Sequence, residues 1–207
     1  MKTYSCLALA AREHGLAALD ELVKSEQYKI IGLFTHRLNP KSYDASRQQR
    51  LDFGDFAEFA SRNSIPLYTV DSVPEKEKVV EFAQKNDFDF IVSVSWRYLV
   101  PPEVFNKPKI AAINLHRGDL PKYAGAEPIL KALKNNETEI AICAHYMTEK
   151  YDEGDVICKA RHPVNYDSSA SLEQNVERLK KEITPHFGVL AKCALEDSIR
   201  RAHDAKY

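Results

Sequence analysis

The sequence predicts an α/β fold: a single open, mostly parallel twisted sheet with helices on both faces, followed by a long C-terminal helical segment. Three observations carry this reading. Apolar runs of strand length alternate with helix-period stripes from the start of the chain, the pattern of β-α-β units. Those runs are nearly continuous rather than alternating, as in strands covered on both faces. Residues 166–207 then keep a helical pattern with no further strand.

The elements follow in order. Residues 4–10 form a buried strand, and GLAALDELVKS places Leu16, Leu19, Leu22 and Val23 on one helical stripe. KIIGLFTH, 29–36, is the second strand, and the polar stretch 37–50 is a loop. A helix over 53–63, a short strand over 66–70, a helix over 74–85 and the strand FDFIVSV, 88–94, come next. Pro101 and Pro102 open a short helix, and 109–116 is a strand ending in Asn-Leu-His. A helix over 128–135 precedes two strands, 139–148 and 155–164, expected to pair with each other. Ser168 to Ser171 give a helix start signal, and Pro185 interrupts the long tail. No internal repeat or low-complexity linker is present, so residues 1–207 are expected to form one domain, a core over 1–165 with a helical extension over 166–207.

Composition bounds the function. At 44% hydrophobic residues the chain can build a substantial core. A formal charge of −1, from 29 basic and 30 acidic residues, offers no broad field for a phosphate backbone, so no nucleic-acid partner is expected. Cys6, Cys143, Cys158 and Cys193 are scattered without CxxC spacing and read as reduced thiols in a cytoplasmic protein. The apolar run in MKTYSCLALAAREHG stops at Arg12, too short for a signal peptide, and nothing approaches the ~20 apolar residues of a membrane span.

The motifs of several large classes are missing. There is no GxGxxG, no GxxxxGK[ST], no HExxH and no GxSxG, and the seven histidines show no metal-ligand spacing, so no metal is expected. Asn114 and His116 stand apart. Two residues apart on an extended chain, they share one face at the carboxyl end of a strand, where open parallel sheets bind ligands. An Asn amide can donate to a developing oxyanion, and a His can move a proton near neutral pH. A histidine ending a strand is, by itself, more often a satisfied structural residue. Asp152, in the turn YDEGDVI, would orient that histidine if it reached it; a plain turn Asp is the plainer reading.

Together, N114-L-H116, L120-P-K-Y123 and D152-E-G-D-V-I157 resemble the 10-formyltetrahydrofolate-dependent formyltransferases over most of residues 1–165. The resemblance implies a formyltransferase-type Rossmann-like fold, 10-formyltetrahydrofolate as co-substrate, and Asn114, His116 and Asp152 as catalytic residues. It places Trp96, Arg97, Tyr98 and Leu99, with Thr148 and Tyr151, around the cofactor. Arg117, Gly118, Lys122, Tyr123 and Glu127 fall on the acceptor side, where R117-G-D-L-P121 departs from the family's usual run. AREHG replaces the phosphate loop of the glycinamide ribonucleotide enzymes, and about forty residues stand where the methionyl-tRNA enzymes carry a further domain. The expected acceptor is therefore a small-molecule amine, an amino sugar on a nucleotide. The alternatives are glycinamide ribonucleotide or methionyl-tRNA as acceptor, hydrolysis of the formyl cofactor, or a non-catalytic folate- or nucleotide-binding module. The apolar positions of the last helix would also suit a homodimer.

Overall fold

The computed structural model describes residues 2–204; residues 205–207, the end of the expected tail, lie outside it. Seven strands form one sheet: β1 (Tyr4–Ala10), β2 (Tyr28–Thr35), β3 (Leu67–Thr69), β4 (Phe90–Val94), β5 (Ala111–His116), β6 (Glu139–Tyr146) and β7 (Val156–Pro163), in the order β3-β2-β1-β4-β5-β6-β7. The first five run parallel, while β6 is antiparallel to both β5 and β7. The predicted fold class is the observed one. The order reverses between β1 and β4, and at such a switch point the outgoing loops part and leave a crevice above the strand ends.

Among the described residues seven α-helices flank the sheet: α1 (Arg12–Val23), α2 (Phe53–Arg62), α3 (Glu77–Lys85), α4 (Pro102–Phe105), α5 (Pro128–Lys134), α6 (Leu172–Ile183) and α7 (His186–Asp204). The period-two alternation of β1 divides the core. Cys6, Ala8 and Ala10 face α1, α2 and α7, whereas Leu7 and Leu9 face α3 and α4. Among the described residues no helix is long and apolar enough to cross a membrane.

One boundary differs from expectation for a physical reason. The helix expected from Gly15 begins at Arg12, because extended Ala11 and Arg12 at φ 65° turn the chain within two residues. Gly15 then lies against the strand, where a Cβ would come within 3.1 Å of Ala10 Cβ. The helical tail is two helices, parted at Thr184 and Pro185, where the proline was expected to interrupt it.

Candidate active site

Asn114, His116 and Asp152 meet above the ends of β5 and β6. The first is half-buried and the second buried at the end of β5; Asp152 reaches them from the β6–β7 turn, with its own backbone left-handed at φ 57°. That turn is close-packed: a Cβ on Gly154 would stand 1.8 Å from the Tyr146 carbonyl oxygen. Asp152 Oδ2 lies 3.2 Å from His116 Nδ1 and accepts the Gly125 backbone N–H at 2.9 Å. A fourth residue joins them. His145 Nε2 is 3.4 Å from Asp152 Oδ1, and Asn114 Nδ2 donates to His145 Nε2 at 3.1 Å and to Asp152 Oδ1 at 3.4 Å.

The proton positions follow from the backbone partners. A carbonyl only accepts, so His116 Nε2–H donates to Tyr123 O (2.8 Å) and His145 Nδ1–H donates to Tyr146 O (2.9 Å). In the neutral rings, His116 Nδ1 and His145 Nε2 are therefore bare, and both face the Asp152 carboxylate. Burial holds the His116 pKa below the ordinary histidine value, with the Asp152 charge pulling the other way. Burial also opposes ionisation of Asp152. Its contacts with His145, His116 and Gly125 outweigh that and keep the carboxyl below the usual range. The gap between His116 Nδ1 and Asp152 Oδ2 thus lacks a proton at neutral pH and is built to take one up. Asn114 supplies N–H donors beside it, the longer of its two bonds being easily surrendered to an incoming oxygen.

These groups line a cleft of about 220 Å³, together with Trp96, Tyr98 and Leu99 and with Met147, Thr148, Lys150 and Tyr151. Beyond Val94 and Leu115 the β4–β5 ladder ends, leaving peptide groups of the outgoing loops off the ladder. Leu99 and Tyr151 expose large apolar surface at the rim. A flat heteroaromatic ring with polar edges, such as a reduced pterin, fits walls of this chemistry.

Not every expected residue lies here. Arg117 and Glu127 line the cleft, but Gly118, Lys122 and Tyr123 line a separate small depression. Lys122 Nζ and Tyr123 Oη both donate to Glu137 Oε1 at 2.5 Å, which draws them away from the acceptor side; Tyr123 contributes only its carbonyl to the site. Arg97 turns out of the cleft and donates to Leu38 O at 2.6 Å. His145 was missed from sequence. Its position directly opposite Asn114 depends on β5 and β6 being antiparallel neighbours, whereas the alternation of 139–148 pointed only to pairing with the following strand.

Residues 9–187 match the formyl transferase family. The chain is 31% identical over 159 residues to a methionyl-tRNA formyltransferase of Mycoplasmopsis pulmonis, covering 76% of this chain and 52% of that one. It is 35% identical over 144 residues to the enzyme of that name from Clostridioides difficile, covering 70% and 44%. The chain thus spans about half the length of the curated relatives it matches. Among solved structures, a formyltetrahydrofolate deformylase from Pseudomonas syringae aligns at TM-score 0.71 and 20% identity, over 94% of this chain and 60% of that one. A phosphoribosylglycinamide formyltransferase from Anaplasma phagocytophilum aligns at 0.66 and 18%, over 93% and 88%; both likenesses concern the fold.

The relatives overturn one expectation. Absence of a nucleic-acid partner rested on a net charge near zero, yet relative after relative is named for methionyl-tRNA. Net charge averages over a whole surface and does not register how few local cations a bound tRNA end requires. The tail length was no better guide, since it describes only the stretch of chain in hand.

Proposed function

Because this chain belongs to the formyl transferase family, we propose that its cleft transfers a formyl group from 10-formyltetrahydrofolate to a primary amine, and that the amine is the aminoacyl end of methionyl-tRNA. The observation that carries the chemistry is the proton gap between His116 Nδ1 and Asp152 Oδ2. The co-substrate supplies the carbonyl carbon that the amine attacks. As the new C–N bond forms, the amine's proton passes to His116 Nδ1, and Asp152 stabilises the resulting imidazolium. Asn114 Nδ2–H donates to the formyl oxygen as negative charge gathers there. His116 then returns its proton to the departing folate nitrogen, which restores the bare Nδ1. Trp96, Tyr98, Leu99, Thr148 and Tyr151 hold the folate, and Arg117 and Glu127 face the acceptor.

The relatives support the tRNA-borne amine over the amino sugar expected from sequence. Local charge supports it too. Arg117, on the cleft wall, is held by a neutral partner, His14 Nε2, so its charge is left for an anionic acceptor. The four free thiols fit a cytoplasmic setting.

The test follows tetrahydrofolate release by absorbance with methionyl-tRNA, an amino-sugar nucleotide, glycinamide ribonucleotide, or no amine. Release that requires methionyl-tRNA is the expected result. Release dependent on one of the small amines overturns the acceptor, amine-independent release makes the protein a hydrolase, and folate binding without release makes it a binding module. Asn114→Ala should lower kcat by ~10²–10³-fold, and near-normal turnover in that variant would remove Asn114 from the mechanism.

A further inference from the structure

His36, just past β2, touches none of the reacting groups, yet it holds the cleft wall. Its ring is fully buried. Nδ1–H donates to Val70 O at 2.5 Å, which leaves Nε2 bare in the neutral ring, and that nitrogen accepts the Arg97 backbone N–H at 3.3 Å. The ring stacks on Trp96 with centroids 4.3 Å apart and planes at 24°, and it meets Tyr98 edge-on at 5.5 Å and 78°. The backbone around it is pinned as well. Arg50 Nη1 donates to His36 O at 2.7 Å, and Arg97 Nη2 donates to Leu38 O.

The wall needs such a brace. Trp96, Tyr98 and Leu99 belong to no helix or strand, and the segment begins at Ser95, a non-glycine residue in the left-handed region at φ 57°. We propose that His36 is a positioning residue for the cofactor: its Nε2 fixes the Arg97 backbone and its ring plane fixes Trp96, so that Trp96, Tyr98 and Leu99 meet the folate as a pre-formed surface. This rests on the reading that the cleft binds folate. Burial, with Arg97, Arg50 and Arg12 nearby, outweighs the Val70 hydrogen bond and lowers the ring's pKa to about 3, so the accepting nitrogen stays bare throughout the neutral range.

The chain has one tryptophan, so Trp96 emission reports this contact directly. Binding of 5-formyltetrahydrofolate is measured by calorimetry and Trp96 emission in the wild type, His36→Phe and His36→Gln, with kcat determined at saturating folate. His36→Phe keeps a ring on Trp96 but loses the acceptor, and should weaken binding about five- to tenfold, the equivalent of one hydrogen bond, while kcat stays within about twofold. His36→Gln restores an acceptor for Arg97 N–H and should recover most of the affinity with altered Trp96 emission. An unchanged Kd in His36→Phe, or a loss confined to kcat, overturns the proposal. Nitrogen-15 NMR of the wild type tests it without any variant. The ring must be neutral and protonated at Nδ1, and the Nε2 resonance must move when folate is added; an Nε2-protonated ring overturns it. Wild-type protein that binds no folate at all fails instead on the reading of the cleft.

Discussion

A Cβ on Gly118 would stand 2.7 Å from His116 Nε2 and 2.6 Å from the Tyr123 carbonyl oxygen, the two ends of the bond that fixes the ring's tautomer. Gly118→Ala should therefore displace the ring from Asp152 and lower kcat on the order of 10²-fold, as misplacement by about an ångström does, with folate affinity nearly unchanged. Steady-state kinetics beside calorimetry would decide, and a Kd that rises as kcat falls would refute the local account. The unusual Arg-Gly-Asp run is explained in the same way. Arg117 donates to His14 Nε2 at 3.3 Å, Gly118 leaves room for the ring, and Asp119 accepts from Lys159 Nζ at 2.6 Å. Residue type and spacing drew attention to Asn114 and His116, and the resemblance to the formyltransferases set Asp152 beside them. Side-chain direction was not legible: Glu137 and Leu38 O, which capture Lys122 and Arg97, come from distant segments.

At the scale of elements, α6 begins with a reciprocal cap. Ser171 Oγ accepts the Gln174 N–H at 3.2 Å, and Gln174 Oε1 accepts the Ser171 N–H at 2.7 Å. The helix then buries Val176, Leu179 and Ile183 in the core shared by β5 and β6. Ser171→Ala should cost ~1 kcal/mol, which lowers Tm by about 2–4 °C for a chain of this size. A thermal melt reads this directly, and an unchanged Tm would mean that α6 is held by packing alone. Elements of this kind were legible because their signals are local: an apolar run, a cap, a proline. Which strands adjoin was less so. The antiparallel placement of β6 beside β5 is set by contacts across the sheet, and it is what brings His145 to Asn114.

For the molecule as a whole, two buried imidazoles tie stability to pH. Burial lowers the pKa of His14 and of His36 to about 3 each, with neighbouring arginines adding to the effect. The unfolded chain therefore binds more protons than the folded one below the ordinary histidine value. Their contribution is fully present above about pH 6.5 and is lost as pH falls toward 3. Between pH 7 and 5 the two rings should remove roughly 3–4 kcal/mol. Urea unfolding at pH 5, 6 and 7 would show the slope. His14→Phe, which keeps the stack on Phe187 (4.7 Å, 12°), should remove about half of it. A flat profile in the wild type would mean that the rings are protonated at little cost.

The packing of α7 on α1 has a consequence in time. Helix α1 is made well before α7, yet the Ala18 and Leu22 side of it is covered by Phe187, Leu190, Ala191 and Ala194 of that later helix. Roughly 160 residues of synthesis separate the two, on the order of 8–30 s at ribosomal rates. During that interval the opening β-α-β unit can pair its strands but cannot close its outer face. A nascent chain halted in the β6–β7 hairpin would already hold Asn114, His116 and Asp152 while still showing an apolar helix to the chaperones around the exit tunnel.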